Sequence, residues 1–365
     1  MPKKQKAGIG TKRGRQETMM NRQRQSRFVP DRKRSVLVAG LVFLLVVSIA
    51  IGLYVVGRRV ELNGGGDGME RGDLTGRFVE PRIVSYNDQN YRYRNDLTTI
   101  LFLGIDRTTE EHRNVTGFRN GGMADFLLLQ VIDPKKERIT TIQIDRDTMA
   151  EVTVLGVLGN PAGTRTYQIC IAHGFGDGGE LSSLLTVDAV SKHLHGIDVD
   201  FYVTMRMSGI NMLNDTLGGV TVTLEDDFTM LDPDMRPGET LTLRGMQAQY
   251  YVRNRMGIGE GTAASRMVRQ KEFMRQAGTL IDEKLRENVN FIGTLLDALS
   301  DDLLTNMSRG RMINEANAAR NYRRTDTITP RGRHTMGEDG YTQFHADARA
   351  LEELVLDIFF ELEMP

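Results

Sequence analysis

The chain has 365 residues, with 47 Lys and Arg against 48 Asp and Glu and a formal net charge of −1, which is length enough for one large domain or two small ones, with a substantial core either way. A single cysteine, Cys170, excludes an intrachain disulfide, and 38 glycines with no Trp point to tight turns rather than to a coiled coil or a low-complexity chain. The near-zero charge conceals an asymmetry, because the first 34 residues hold twelve Lys or Arg and only Glu17 and Asp31 as acids, leaving the remainder acidic.

Residues 36–57, VLVAGLVFLLVVSIAIGLYVVG, carry no charge. At about 1.5 Å per residue a helix of that length spans the roughly 30 Å hydrocarbon core of a bilayer. Residues 1–35 then read as a basic cytoplasmic tail, and the positive-inside rule sends everything after Arg58 and Arg59 outside the cell membrane, a single-pass type II topology. A cleavable signal peptide is the competing reading, opposed by the long basic region and the lack of a small-x-small cleavage site. The tail has neither aromatic interleaving nor a DNA-binding pattern, so no nucleic acid partner is expected. Residues 58–95 read as an extracytoplasmic linker, with the glycine-rich run Asn63 to Gly68 as a tether.

The folded domain is expected over residues 96–365. Its opening runs TTILFLGI, ADFLLLQVI and RITTIQI predict central strands buried on both faces, the last two joined by an Asp133-Pro134-Lys135-Lys136 turn. Helical periodicity follows in SSLLTVDAVSKHLHG, a strand in VDFYVTM, then a helix in GINMLNDTL and a strand in VTVTL. Further helices are predicted at Gly245 to Val252, Ala263 to Arg286, within 290–320 and at Ala346 to Phe360 as a helical C-terminal extension. This alternation predicts an α/β fold, an α-β-α sandwich with a central mixed sheet.

Three clusters carry candidate chemistry. Asp106 follows the first strand and Asp125 precedes the second, so antiparallel pairing brings the two together under a polar, glycine-rich loop. Two carboxylates there suit Mg²⁺, which takes few carboxylates plus water and phosphate oxygens, although an isolated Asp is equally a turn or cap residue. Asp145-Arg146-Asp147-Thr148 follows the third strand. Arg146 can fork onto a phosphate and Asp147 can accept a proton from a hydroxyl, or the pair can serve as an internal ion pair or helix cap. In the third cluster, helical spacing places Arg266, Arg269 and Gln270 on one face, with Arg253 and Arg255 on the element before. Such a set can neutralise a diphosphate, and a solvated helix face explains Arg266 and Arg269 as well. The intervening MGIGEG is no nucleotide fingerprint, since it follows a helix. His173, in the HGFGDGG run, reads as a solvated loop group or a substrate contact, and His193 and His195 as helix-end residues favoured by the dipole.

Read in order, ILFLGIDR, MADFLLL, IQIDRDT, QICIAHGFGDGG, DFYVTM, LGGV, LRGMQAQYYVRNR and RMVRQ resemble the extracytoplasmic domain of the LytR-CpsA-Psr family over residues 98–280. The closing EDGYTQFHADARALEELVLDIFF is similar to the end of such domains. The resemblance implies transfer of a phosphoglycopolymer, of teichoic acid or capsular polysaccharide type, from undecaprenyl pyrophosphate to a peptidoglycan hydroxyl with Mg²⁺ assistance. It implies Asp106 and Asp125 as the metal-associated acids. Arg146, Arg253, Arg255, Arg266 and Gln270 fall at positions around the pyrophosphate, with Arg269 their neighbour and Asp147 the candidate base.

Three departures from the family pattern stand out. Met123 replaces an Arg two residues before Asp125, with Arg113 or Arg119 as candidates to compensate. Asp145 replaces the Pro before Arg146, and Gln168-Ile169-Cys170 replaces Lys-Ile-Asn. The rival readings are a non-enzymatic wall-polymer-binding protein, a membrane signalling or transcription-attenuating protein on the same fold, and a polyprenyl-pyrophosphate hydrolase.

Overall fold

The apolar runs form what their composition demands. In the computed structural model, which describes residues 82–113, 117–118 and 121–363, the chain opens with strands β1 (Ile83–Tyr86) and β2 (Gln89–Tyr93), then β3 (Thr98–Ile105) and a short helix α1 (Thr109–Arg113). Next come β4 (Ala124–Asp133), β5 (Arg138–Ile144), the hairpin β6 (Met149–Leu155) and β7 (Pro161–Gln168), and helices α2 (Ile171–Gly174) and α3 (Glu180–His193). Strand β8 (Phe201–Arg206), helix α4 (Gly209–Leu217), and strands β9 (Thr221–Thr223) and β10 (Thr240–Thr242) lead to helices α5 (Met246–Arg253), α6 (Ala263–Glu287) and α7 (Phe291–Ala298). The chain closes with β11 (Leu303–Thr305), α8 (Arg309–Ala319), β12 (Arg323–Arg324), β13 (Gly332–Met336), β14 (Thr342–Ala346), α9 (Ala348–Phe359) and β15 (Phe360–Leu362).

Six strands make the central mixed sheet in the order β11-β8-β3-β4-β5-β12. Pairs β3/β4 and β4/β5 are antiparallel, and β3/β8 and β5/β12 parallel. Alternation along β3 divides the sheet's two faces. Leu101, Leu103 and Ile105 pack with Leu127, Leu129, Ile142 and residues of α3 and α9, whereas Ile100 packs with Ile132, Ile139, Val203 and Ala319 of α8. Both faces of the central strands are therefore dry, which is why β3 reads as a continuous apolar run. A further core gathers α4 to α7 around Phe228, Tyr251 and Phe273.

The β1–β2 hairpin lies within the span expected to be linker. It is folded, β2 pairing with the C-terminal β15 through Tyr93↔Phe360 and Tyr91↔Leu362, so the ordered fold begins before Asp96. Alternate positions Tyr91 and Tyr93 are the buried side of a strand whose partner lies at the other end of the chain, which local pattern does not reveal. Burial drives His193 down to about 4, so it is neutral and supplies no charge to the end of α3. No helix among the described residues is long and apolar enough to cross a membrane. The apolar stretch 36–57, the basic tail, Arg119 and the side chain of Arg113 lie outside the described residues.

One ion pair seals the turn between β4 and β5. Arg94, 5% exposed, donates from Nη1 and Nη2 to both oxygens of Asp133, at 2.6 and 2.8 Å, and Asp133 also accepts the Lys136 N–H at 3.1 Å. Removing one partner leaves a buried charge without its counter-ion. Arg94→Met should lower unfolding free energy in urea by about 3–5 kcal/mol, whereas a similar substitution at the exposed Arg349 should leave the urea transition nearly unchanged.

Candidate functional site

Strand direction assembles the site. Because β4 runs antiparallel between β3 and β5, the C-terminal end of β3, the start of β4 and the C-terminal end of β5 share one sheet edge, with Ile105 paired to Ala124 and Leu127 to Ile144. Asp106, Asp125 and the Asp145–Asp147 segment, adjacent to those residues, therefore meet. Helix α6 reaches the same edge by its first turn, launched by Thr262, whose side chain accepts the Ser265 N–H at 3.0 Å.

Asp125 is the centre. Its Oδ1 accepts a hydrogen bond from Arg146 Nη1, and its Oδ2 accepts one from Arg266 Nη1 at 2.9 Å. Two acids flank it. Asp106 accepts the Met123 N–H at 2.8 Å, and burial followed by the nearby Asp125 charge pushes its carboxyl above the usual range despite that bond. Asp147 Oδ1 lies 3.3 Å from Arg146 Nε, and burial again raises its carboxyl, opposed by Arg146, Arg266 and Arg255. Burial lowers Arg266, which Asp125 partly offsets. Gly122 makes the approach to Asp106 possible: at φ +78 a side chain is strained, and a Cβ would stand 2.9 Å from the Asp106 carboxylate.

The Arg and Gln candidates divide. Arg266, Arg253 and Gln270 line a small cavity of about 30 Å³ with Ile105, Phe126 and Met205, and Arg146, Arg266 and Gln270 line a neighbouring one of about 10 Å³. Arg255 is exposed and near enough to act on both Asp147 and Arg266. Arg269 does not line either cavity. Its Nη1 donates to Tyr251 O at 3.0 Å and its Nη2 to Asn254 O at 2.6 Å, and its guanidinium lies 5.1 Å over the Phe228 ring. It braces the loop that carries Arg255 instead of facing the cleft. The face of α6 predicted as either anion-binding or solvated is buried, Arg266 at 5% and Arg269 at 6% exposure.

The three departures all touch this edge. Met123 bonds Asp106 through its backbone, and its Sδ accepts from Arg146 Nη2 at 3.3 Å. Cys170 Sγ accepts from the same Nη2 at 3.2 Å, and burial pushes its thiol up to about 11, so it stays protonated at neutral pH. Asp145 is buried and meets His334, a residue from the far end of the chain to which no sequence motif points. His173 is neither solvated nor in a loop. It is fully buried in α2, its Nδ1 is 3.1 Å from Gly122 O, and burial lowers it to about 4.

Two neighbouring carboxylates, one of which raises the pKa of the other, fit a divalent cation, since a shared positive charge relieves them. Among the described residues no group of three or more His, Cys, Asp or Glu forms a metal-binding cluster. Both oxygens of Asp125 are engaged by Arg146 and Arg266.

The sequence model of the LytR_cpsA_psr family matches residues 77–357, and the chain belongs to that family. Over 283 residues it is 25% identical to the polyisoprenyl-teichoic acid--peptidoglycan teichoic acid transferase TagU of Halalkalibacterium halodurans, covering 75% of this chain and 81% of that one. It is also 25% identical to biofilm regulatory protein A of Streptococcus mutans over 217 residues, 57% of this chain and 50% of that one. The crystal structure of TagV from B. subtilis shares the fold, with a TM-score of 0.56 at 23% identity over 73% of this chain and 96% of that one.

A carboxyl whose folded pKa is raised opposes folding once ionised. The opposition is absent below the unfolded value near 4, grows as pH rises between the unfolded and folded values, and is complete above the folded one. Asp106→Asn, which keeps an acceptor for Met123, should therefore stabilise the protein at neutral pH by about 1 kcal/mol, and the gain should vanish below about pH 4. Thermal unfolding of wild type and variant across that range checks it.

Proposed function

We propose that this chain transfers a phosphoglycopolymer, of teichoic acid or capsular polysaccharide type, from a polyprenyl pyrophosphate such as undecaprenyl pyrophosphate to a peptidoglycan hydroxyl, outside a cell membrane in which residues 36–57 anchor it. One observation carries the reading: a carboxylate gripped by two inward guanidiniums, with two further acids of raised pKa beside it, on one sheet edge. Phosphoryl transfer needs alignment and charge neutralisation more than a side-chain nucleophile, and this edge offers both.

Arg146 and Arg266 exchange Asp125 for non-bridging oxygens of the diphosphate, joined by Arg253 and Arg255 from the end of α5 and the loop after it. Asp106 and Asp125 would hold Mg²⁺, which would supply positive charge to neutralise the phosphate oxygens. Asp147 takes the proton of the attacking sugar hydroxyl. The new P–O bond forms to that oxygen as the P–O bond of the pyrophosphate breaks, and polyprenyl phosphate leaves. Gln270 donates to Val252 O at 3.2 Å and fixes the floor between the two cavities. The apolar cavity of about 30 Å³ between the sheet and helices α4, α5 and α6 is the entry for the lipid.

The full-length chain, incubated with Mg²⁺, a polyprenyl-pyrophosphate glycan and a peptidoglycan oligosaccharide, should yield a phosphodiester-linked product. Arg146→Ala and Asp106→Ala should each lower the rate by about 100-fold or more. Product released only to water would mean hydrolysis, and full turnover in both variants would reject the site. Because the base acts deprotonated, kcat/KM should rise with pH through the raised Asp147 pKa, and Asp147→Asn should lose that limb together with most of the rate.

A further inference from the structure

Asp145 is 3% exposed and takes no part in the reaction described above. A carboxylate that deep persists when both oxygens are bonded. Its Oδ1 accepts the Asp147 N–H at 2.9 Å, and its Oδ2 lies 2.8 Å from Nε2 of His334, which stands 189 positions away in β13. Facing a carboxylate oxygen, Nε2 is the ring nitrogen that carries a proton.

The same hairpin holds the turn from its other side. Phe344 of β14 donates its N–H to Asp147 O at 2.8 Å and bridges Thr148, and the His334 ring packs on Phe344 with 4.9 Å between centroids. The backbone of Asp147 is thus fixed at its N–H by Asp145 and at its C=O by Phe344. His334 is bonded to the first of these, and its ring stacks on the side chain of the residue whose backbone makes the second. Arg146 lines the smaller cavity and the Asp147 carboxylate lies 3.3 Å from its Nε, so small rotations of this turn displace both.

We propose that His334 is a positioning residue for the Arg146–Asp147 turn, acting through the buried carboxylate of Asp145. Its catalytic consequence rests on the proposed function, whereas its effect on the turn does not.

The test compares full-length wild type with His334→Leu, which keeps apolar packing on Phe344 without the bond, and with His334→Gln, whose amide N–H replaces Nε2. Hydrogen exchange by mass spectrometry should show about tenfold faster exchange over residues 144–150 in His334→Leu, restored in His334→Gln. In the transfer assay kcat should fall about 10- to 100-fold for His334→Leu with KM within about twofold, and His334→Gln should recover most of it. Unchanged exchange and unchanged kcat in His334→Leu, or a Gln variant as defective as the Leu variant, would overturn the proposal. If His334→Leu does not fold, Asp145→Asn takes its place with the same expected direction in both readouts. Should wild type itself transfer nothing, the proposed function fails while the exchange comparison still decides the role of His334.

Discussion

The shared carboxylate of Asp125 is the constraint on which the rest of the edge depends. It joins the start of β4, the end of β5 and the first turn of α6, three segments that sequence separates by up to 141 positions. Charges this poorly hydrated cannot be arranged independently. Without Asp125, Arg146 and Arg266 would face one another at close range. Without the guanidiniums, the buried Asp147 and the half-buried Asp106 and Asp125 would be three neighbouring acids with little to hold their charge. The raised carboxyls of Asp106 and Asp147 and the lowered Arg266 record how tightly this balance is drawn. A site held by exchangeable ion pairs is also one that can accept a multivalent anion, since each guanidinium can leave Asp125 for a phosphate oxygen.

Around that centre, hydrogen bonds made to backbone groups set the positions. The Gly121–Ala124 segment is secured by Gly174 O, Cys170 O and the ring of His173, which holds Met123 N–H against Asp106. The loop after α5 is pinned by the buried Ile258 and by Arg269 on Asn254 O, and Gly259 turns at φ +52 where any side chain would collide with Asp226. That glycine-rich run serves close packing and not nucleotide recognition.

Much of this is legible in the order of the residues. The two-sided apolar runs of β3, β4 and β5 announce central strands, the Asp-Pro-Lys-Lys turn announces their antiparallel order, and from that order Asp106 and Asp125 have to meet. The spacing of Arg266 and Gln270 places them on one helical face. Sequence fails where a partner is remote or where a residue's role depends on the direction of its side chain. Arg269 shares that face yet turns to carbonyls of α5 and the loop beyond. His173 has the composition of a loop around it yet is buried, and the β1–β2 hairpin looks like linker until β15 closes its edge.

Periodicity and turn chemistry are local quantities, so the chain by itself determined the elements, their order along the central sheet's first hairpins and the edge on which the acids lie. Which cation faces which anion is not local. Burial decides it, because a polar or charged group removed from water must find its partner wherever the fold brings one, and here that meant the Arg266 guanidinium for Asp125 and a hydrogen bond from His334 for Asp145, pairings that only the packed tertiary structure selects.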